Sequence, residues 1–144
     1  MPDYRRYRVP GGTYFFTVNL PERKRDLLVR HIGDLREAVR KTKQERSFHI
    51  DAWVVLPDHM HCIWTLPPGD SDFSNRWKVI KIRFVKSIPA TERRSKVRNA
   101  RGERGIWQRR FWEHVIRDGR DFAAHVDYCH WNPVKHGLVQ RVID

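Results

Sequence analysis

Hydrophobic and polar positions along the chain repeat with two periods, and the changes between them mark out seven elements. Thr13 to Leu20, TYFFTVNL, is rich in β-branched and aromatic residues and predicts a first strand, which Pro21 ends. From Asp26 to about Arg46, Leu27, Leu28, Ile32, Leu35 and Val39 recur at helical spacing with charges between them, predicting one amphipathic helix. Phe48 to Leu56 and Met60 to Leu66 predict two strands of a hairpin turning at Pro57-Asp58. Pro67-Pro68-Gly69-Asp70 breaks the chain, and Ser71 to Ser74 offers caps for a second helix, RWKVIKIRFVKSI, with Trp77, Ile80, Phe84 and Ile88 on one face. Pro89 ends that helix, and Ile106 to Ile116 predicts a fourth strand. Asp118 caps a third helix through Phe122, Val126 and Cys129, expected to stop near Asn132 because a proline disfavours helical geometry in the residue before it. The order β-α-β-β-α-β-α is that of an α+β, ferredoxin-like sandwich: a four-stranded antiparallel sheet with one helix added at the C-terminus.

Composition narrows this picture. A chain of 144 residues with 40% hydrophobic residues supports one core, so residues 1–144 are expected to form a single domain. No apolar run approaches the ~20 residues that span a bilayer, and MPDYRRYRVP lacks a secretion signal, so a soluble cytoplasmic protein is expected. Cys62 and Cys129, far apart and without a paired motif, are expected to be buried thiols.

Charge changes the picture most. The net charge is +12, and residues 76 to 110 carry thirteen basic side chains against Glu92 and Glu103, a balance of +11, so nearly all of the excess sits there. A field this concentrated selects polyphosphate, with nucleic acid the natural partner, while a membrane surface fits poorly because the second half of the segment is too polar to bury an apolar face. Residues 90 to 105, ATERRSKVRNARGERG, predict a mobile basic loop that orders on phosphates. A second basic stretch, YRRYRVPGG, interleaves tyrosines with Arg5, Arg6 and Arg8 and ends in a turn that allows close backbone approach.

Candidate chemistry centres on DAWVVLPDHMHCIWTL, residues 51 to 66. Side chains alternate along a strand, so His59 and His61 project together while Met60 and Cys62 face the other way. Two imidazoles on a rigid strand supply half of a divalent-ion site, although an isolated HxH is more commonly a pair of half-exposed histidines. On the last helix, Tyr128 and Asn132 stand four residues apart and share a face, so a phenol and an amide carbonyl could converge on the same point. A histidine pair, a helical tyrosine and a basic patch are together the parts needed for metal-assisted attack on a phosphodiester.

RRYRVPGGTYFFTVNL, LPDHMHCIW, WQRRFWEHVIRD and YCHWNPVKHGLV resemble, in the same order, the sequence blocks of the HUH single-strand transposases with one catalytic tyrosine, and within them the REP-associated tyrosine transposases of bacteria. The resemblance covers nearly the whole chain. It implies a divalent ion, Mg²⁺ or Mn²⁺, on His59 and His61, with Tyr128 as nucleophile. Related transposases carry Gln four residues after the tyrosine as a further ligand, which maps to the shorter Asn132. It further implies cleavage of single-stranded DNA hairpins formed by palindromic repeats through a covalent 5′-phosphotyrosine, and rejoining without a nucleotide cofactor. Gly12, Thr13 and Tyr14 would lie near the sequence flanking the cut. The expected contacts to DNA are these three with Arg5, Arg6, Arg8, Arg76, Lys78, Arg83, Arg93, Arg94, Arg98, Arg109 and Arg110. Whether the protein acts as a monomer or a homodimer stays open.

Two other readings compete. A ferredoxin-like nucleic-acid binder without catalysis would need exposed paired aromatics on its two central strands, and a water-using metal nuclease would need no tyrosine. Only the transposase reading leaves protein joined to DNA.

Overall fold

The structure, a computed structural model, describes residues 8–20, 26–88 and 111–135, with side chains described as far as residue 131. Its elements are β1 (Thr13–Asn19), α1 (Leu27–Arg30), α2 (Ile32–Glu45), β2 (His49–Val55), β3 (His59–Thr65), α3 (Phe73–Ser87), β4 (Trp112–Val115) and α4 (Gly119–Lys135). The strands pair antiparallel in the order β2-β3-β1-β4, with β3 and β1 central. This is the split βαβ topology that the element order implied.

Because strand side chains alternate, the sheet has two apolar faces. Tyr14, Phe16 and Val18 of β1 with Met60, Cys62 and Trp64 of β3 form the larger core, closed by Leu35 and Ala38 of α2 and by Phe73, Trp77, Ile80 and Phe84 of α3. Trp64 and Trp77 stack at 4.4 Å across the sheet–helix boundary. The opposite face is smaller: Phe15 and Ile63 pack against Cys129 of α4, with Ala52, Val54, Ile116, Phe122 and Val126 around them. The second face therefore belongs to α4, and the odd-numbered positions of β1 and β3 point at it.

Local polar bonds hold the ends of these elements. Asp72 caps α3 by accepting from the Asn75 backbone N–H at 3.1 Å and from its amide Nδ2 at 2.7 Å. Asp118 does the same for α4, accepting from Asp121 N–H at 2.8 Å. Gly11, with φ +69°, turns the chain back after Pro10, and Gly12 donates to the Val9 carbonyl at 2.8 Å. A Cβ on Gly12 would lie 2.8 Å from that same oxygen, so the turn admits no side chain there.

Two expectations need correction. The single helix from Asp26 is broken at His31 (φ −110°, ψ 38°) into α1 and α2, and Leu28 N–H, an orphan donor of the helix start, goes to the Pro57 carbonyl at 3.4 Å. The last helix does not stop near Asn132 but runs to Lys135. Proline biases its predecessor against helical geometry without forbidding it, and Pro133, in the last turn of α4, both lacks the N–H that would bond the Cys129 carbonyl and crowds that carbonyl, with little helix left beyond it to disrupt. The strand expected from Ile106 is seen from Trp112; its first part and the basic loop of residues 90 to 105 lie outside the described residues. Cys62 and Cys129 are both buried, and burial drives the Cys62 thiol well above its ordinary range and Cys129 to about 11. Among the described residues no helix is long and apolar enough to cross a membrane.

Candidate active site

β3 starts at His59, directly after the Pro57-Asp58 turn, so both histidines fall on the α4 face, with ring centroids 5.1 Å apart. Thr17 stands opposite His61 in the β1–β3 register, and its Oγ1 shares a 2.9 Å hydrogen bond with His61 Nδ1. Asp58 Oδ1 lies 2.7 Å from His59 Nδ1. Each Nδ1 is thus engaged by an oxygen behind the ring, so a cation would be taken through Nε2. An oxygen partner behind a ligating imidazole fixes its tautomer and orientation, and this is the usual outer-shell arrangement of histidine metal sites. Phe15 stacks on His61 at 5.6 Å and completes the floor.

α4 brings the phenol to this floor. Phe122, Val126 and Cys129, at helical spacing, form the stripe that docks on the sheet. Tyr128 lies at the margin of that stripe, 43% exposed, with its ring edge-on to His61 at 5.1 Å and to Phe15 at 5.9 Å. The helix thereby keeps the ring against the histidine pair and leaves it open to solvent. Asn132 is in α4, but its side chain lies outside those described.

A second polar cluster joins β4 to the start of α4. His114 Nε2 lies 2.9 Å from Asp121 Oδ2, the Arg117 backbone N–H donates to the same oxygen at 2.9 Å, and His125 Nδ1 is 3.1 Å from Oδ1. The Arg117 N–H, with help from His114, holds the Asp121 carboxyl down at about 2. The ring of His125 stacks on His114 at 4.7 Å and touches Phe15 at 4.7 Å, so the cluster abuts the floor of the first site.

The expected DNA contacts divide three ways. Tyr14 and Arg76 are corrected, because their side chains are buried and committed to holding the fold, whereas Arg83 is half-buried on α3. Tyr14 is fully buried, and its hydroxyl accepts from Val9 N–H at 2.6 Å and donates to the Val9 carbonyl at 2.8 Å. Arg76, 3% exposed, bonds Asp70 through two nitrogens at 2.8 and 3.1 Å and also donates to the Asp72, Arg46 and Ser47 carbonyls. Arg83 ties α3 to α2 through Glu45 at 2.6 Å and Thr42 at 3.1 Å.

Arg8 and Lys78 are exposed, Arg8 reaching Ser74 at 3.3 Å. Lys78 is on α3, across the sheet from the histidines. Gly12 and Thr13 lie at the far end of β1 from His59, where Thr13 Oγ1 pairs with Thr65 Oγ1 at 2.9 Å. Arg5, Arg6, Arg93, Arg94, Arg98, Arg109 and Arg110 lie outside the described residues. The sequence reading missed Asp58 and Thr17, though Asp58 adjoins the motif. It also missed Trp112 and Trp131, exposed at 59% and 58%, whose signal was an aromatic set among basic and polar neighbours.

Known proteins share this chain's pattern along its length. A family model described as IS200-like transposase matches residues 12–128, ending at Tyr128. The chain is 53% identical over 144 residues to the REP-associated tyrosine transposase of Escherichia coli K12, covering all of this chain and 79% of that one. A Haemophilus influenzae relative, a putative REP-associated tyrosine transposase by its description, is 43% identical over 145 residues, covering all of this chain and 82% of its own length. A solved structure of a REP-associated tyrosine transposase bound to a REP hairpin superposes with a TM-score of 0.83 at 53% identity, over 99% of this chain and 78% of that one. With a relative this similar over the whole of this chain, the chain belongs to the IS200-like transposases and, within them, to the REP-associated tyrosine transposases.

Proposed function

We propose that this protein binds hairpins of single-stranded palindromic DNA, cuts beside them through Tyr128 and rejoins the ends. The observation that carries the reading is the convergence of Tyr128 with His59 and His61 on the face covered by α4, each imidazole braced from behind by Asp58 or Thr17. That brace is also the test of fit for an ion: two imidazoles oriented by oxygen partners, beside an oxygen-rich phosphate, suit Mn²⁺ or Mg²⁺. His59 and His61 would hold it, with Asn132 as the third protein ligand. When bound, the ion supplies positive charge at the scissile phosphate and the departing oxygen.

The chain's own groups do the rest. Tyr128 Oη attacks phosphorus in line, the bond from phosphorus to the 3′ oxygen breaks, and that oxygen leaves as a hydroxyl while the 5′ phosphate stays on the tyrosine. Attack by an incoming 3′-hydroxyl reverses the step, so no nucleotide cofactor is needed. Phe15 and His61 hold the phenol from below, and Cys129 pins the helix one residue on. The hairpin as partner is supported by the relative that binds a REP hairpin and by the +11 carried by residues 76 to 110.

The non-catalytic binder is disfavoured on one observation: Phe15, the aromatic of a central strand on this face, is 7% exposed beneath α4 and cannot stack on a base. The test is a cleavage assay on single-stranded hairpins drawn from repeats beside the gene. Wild type with Mn²⁺ should cut them, and His59→Ala/His61→Ala should bind but not cut. Cutting by that double variant would remove the reading.

A further inference from the structure

We propose that His114, Asp121 and His125 form a second metal site, selective for a transition metal such as Zn²⁺, that staples the nucleophile-bearing helix to β4. The three side chains are the group of His and Asp among the described residues whose donor atoms all lie within 4.8 Å of one another. They come from two elements, His114 from β4 and the other two from the first turns of α4. The separations of 2.9 Å from His114 Nε2 to Asp121 Oδ2 and 3.1 Å from His125 Nδ1 to Asp121 Oδ1 are close to the edges of a polyhedron around a small cation. Such a cation has bonds of about 2.0–2.2 Å.

Two imidazoles and one carboxylate, with a further position for water, are a zinc donor set, and without the phosphate oxygens that complete the shell at His59 and His61 they favour Zn²⁺ over Mg²⁺. The Arg117 backbone N–H, donating to Asp121 Oδ2 at 2.9 Å, fixes the orientation of the carboxylate as an outer-shell partner would. An ion has a way in, because the side chains of His114 and His125 are 33% and 25% exposed. Binding replaces two existing hydrogen bonds: His114 Nε2 now donates to the Asp121 carboxylate at 2.9 Å and His125 Nδ1 to the Asp121 carbonyl at 2.8 Å, and each nitrogen would give up its proton to become a ligand.

The site is distinct from His59 and His61, with Phe15 between the two, touching His61 on one side and His125 on the other. An ion there fixes the start of α4 and, through Phe15, the ring of Tyr128.

The test uses chelator-treated full-length protein carrying His59→Ala/His61→Ala, so that failure of the proposed cleavage site cannot be confused with failure of this one. Calorimetric titration with Zn²⁺ should find about one equivalent, and Co²⁺ should give the visible absorption of a four-coordinate site. Adding Asp121→Asn should weaken binding by more than about tenfold, since even outer-shell partners are worth 10–100-fold. Because that variant could also loosen α4, NMR on the protein with the cluster intact supplies the second arm: Zn²⁺ should shift the His114 and His125 ring resonances. No zinc taken up, or zinc that leaves those two rings unmoved, overturns the proposal and leaves the cluster as a hydrogen-bonded clamp.

Discussion

His61 and Tyr128 meet edge to face, ring centroids 5.1 Å apart, one on the central strand β3 and the other on the last described helix. His61 is 5% exposed and fixed by Thr17, whereas Tyr128 is 43% exposed. A rigid, buried imidazole thus faces an accessible phenol.

The same substitution at two tyrosines separates these roles. Tyr128→Phe removes an exposed hydroxyl and should leave stability within about 0.5 kcal/mol of wild type. Tyr14→Phe leaves the Val9 N–H and carbonyl without the hydroxyl they now share, and should cost about 1–3 kcal/mol. Denaturant melts of both variants, beside a cleavage assay, should give a stable inactive protein at 128 and a weakened active one at 14.

Asp58→Asn keeps the shape of the turn but removes the carboxylate behind His59. The Mn²⁺ concentration needed for half-maximal cleavage should rise 10–100-fold while folding stays intact. Thr17→Val, which removes the partner of His61 Nδ1, should act in the same direction. Unchanged metal dependence in both would show that the histidines do not hold the ion.

Acid should loosen the joint between α3 and the loop that precedes it. The Arg76 guanidinium, followed by the Asp72 backbone N–H, holds the Asp70 carboxyl below its ordinary 3.8. A depressed native pKa contributes stability that is present above the unfolded value and disappears as pH falls through the native one. Acid unfolding followed by tryptophan fluorescence should therefore shift to higher pH in Asp70→Asn, and the difference from wild type should shrink below the carboxylate range.

The larger part of the fold was legible because periodicity is local. Thr13 to Leu20, the hairpin around Pro57-Asp58 and the α3 face of Trp77, Ile80 and Phe84 each carry their pattern within one element. The histidine pair was legible for the same reason, since strand alternation alone puts His59 and His61 on one side. What was not legible depends on pairing between distant segments. Thr17 meets His61 only through the register of β1 against β3. Arg76 reads as a DNA contact because a sequence shows its charge and not Asp70 beside it.

Binding should weaken steeply with salt, because the +11 of residues 76 to 110 must be neutralised by phosphate. Arg93→Ala/Arg94→Ala/Arg98→Ala should flatten the log–log slope by roughly 0.7 for each single-strand phosphate left without its arginine, and the preferred hairpin should stay the same. An unchanged slope and affinity would place this stretch away from the DNA.

The central claim is that Tyr128 becomes joined to the 5′ side of the break. A single-stranded hairpin substrate labelled 3′ of the cut, incubated with wild-type protein and Mn²⁺, should migrate as a protein adduct, while the fragment labelled at its 5′ end runs free with an extendable 3′-hydroxyl. Mass spectrometry of the digested adduct should find the nucleotide on Tyr128 and none in the Tyr128→Phe protein. A nucleotide on another residue, or normal cleavage by the Phe variant, would contradict the account.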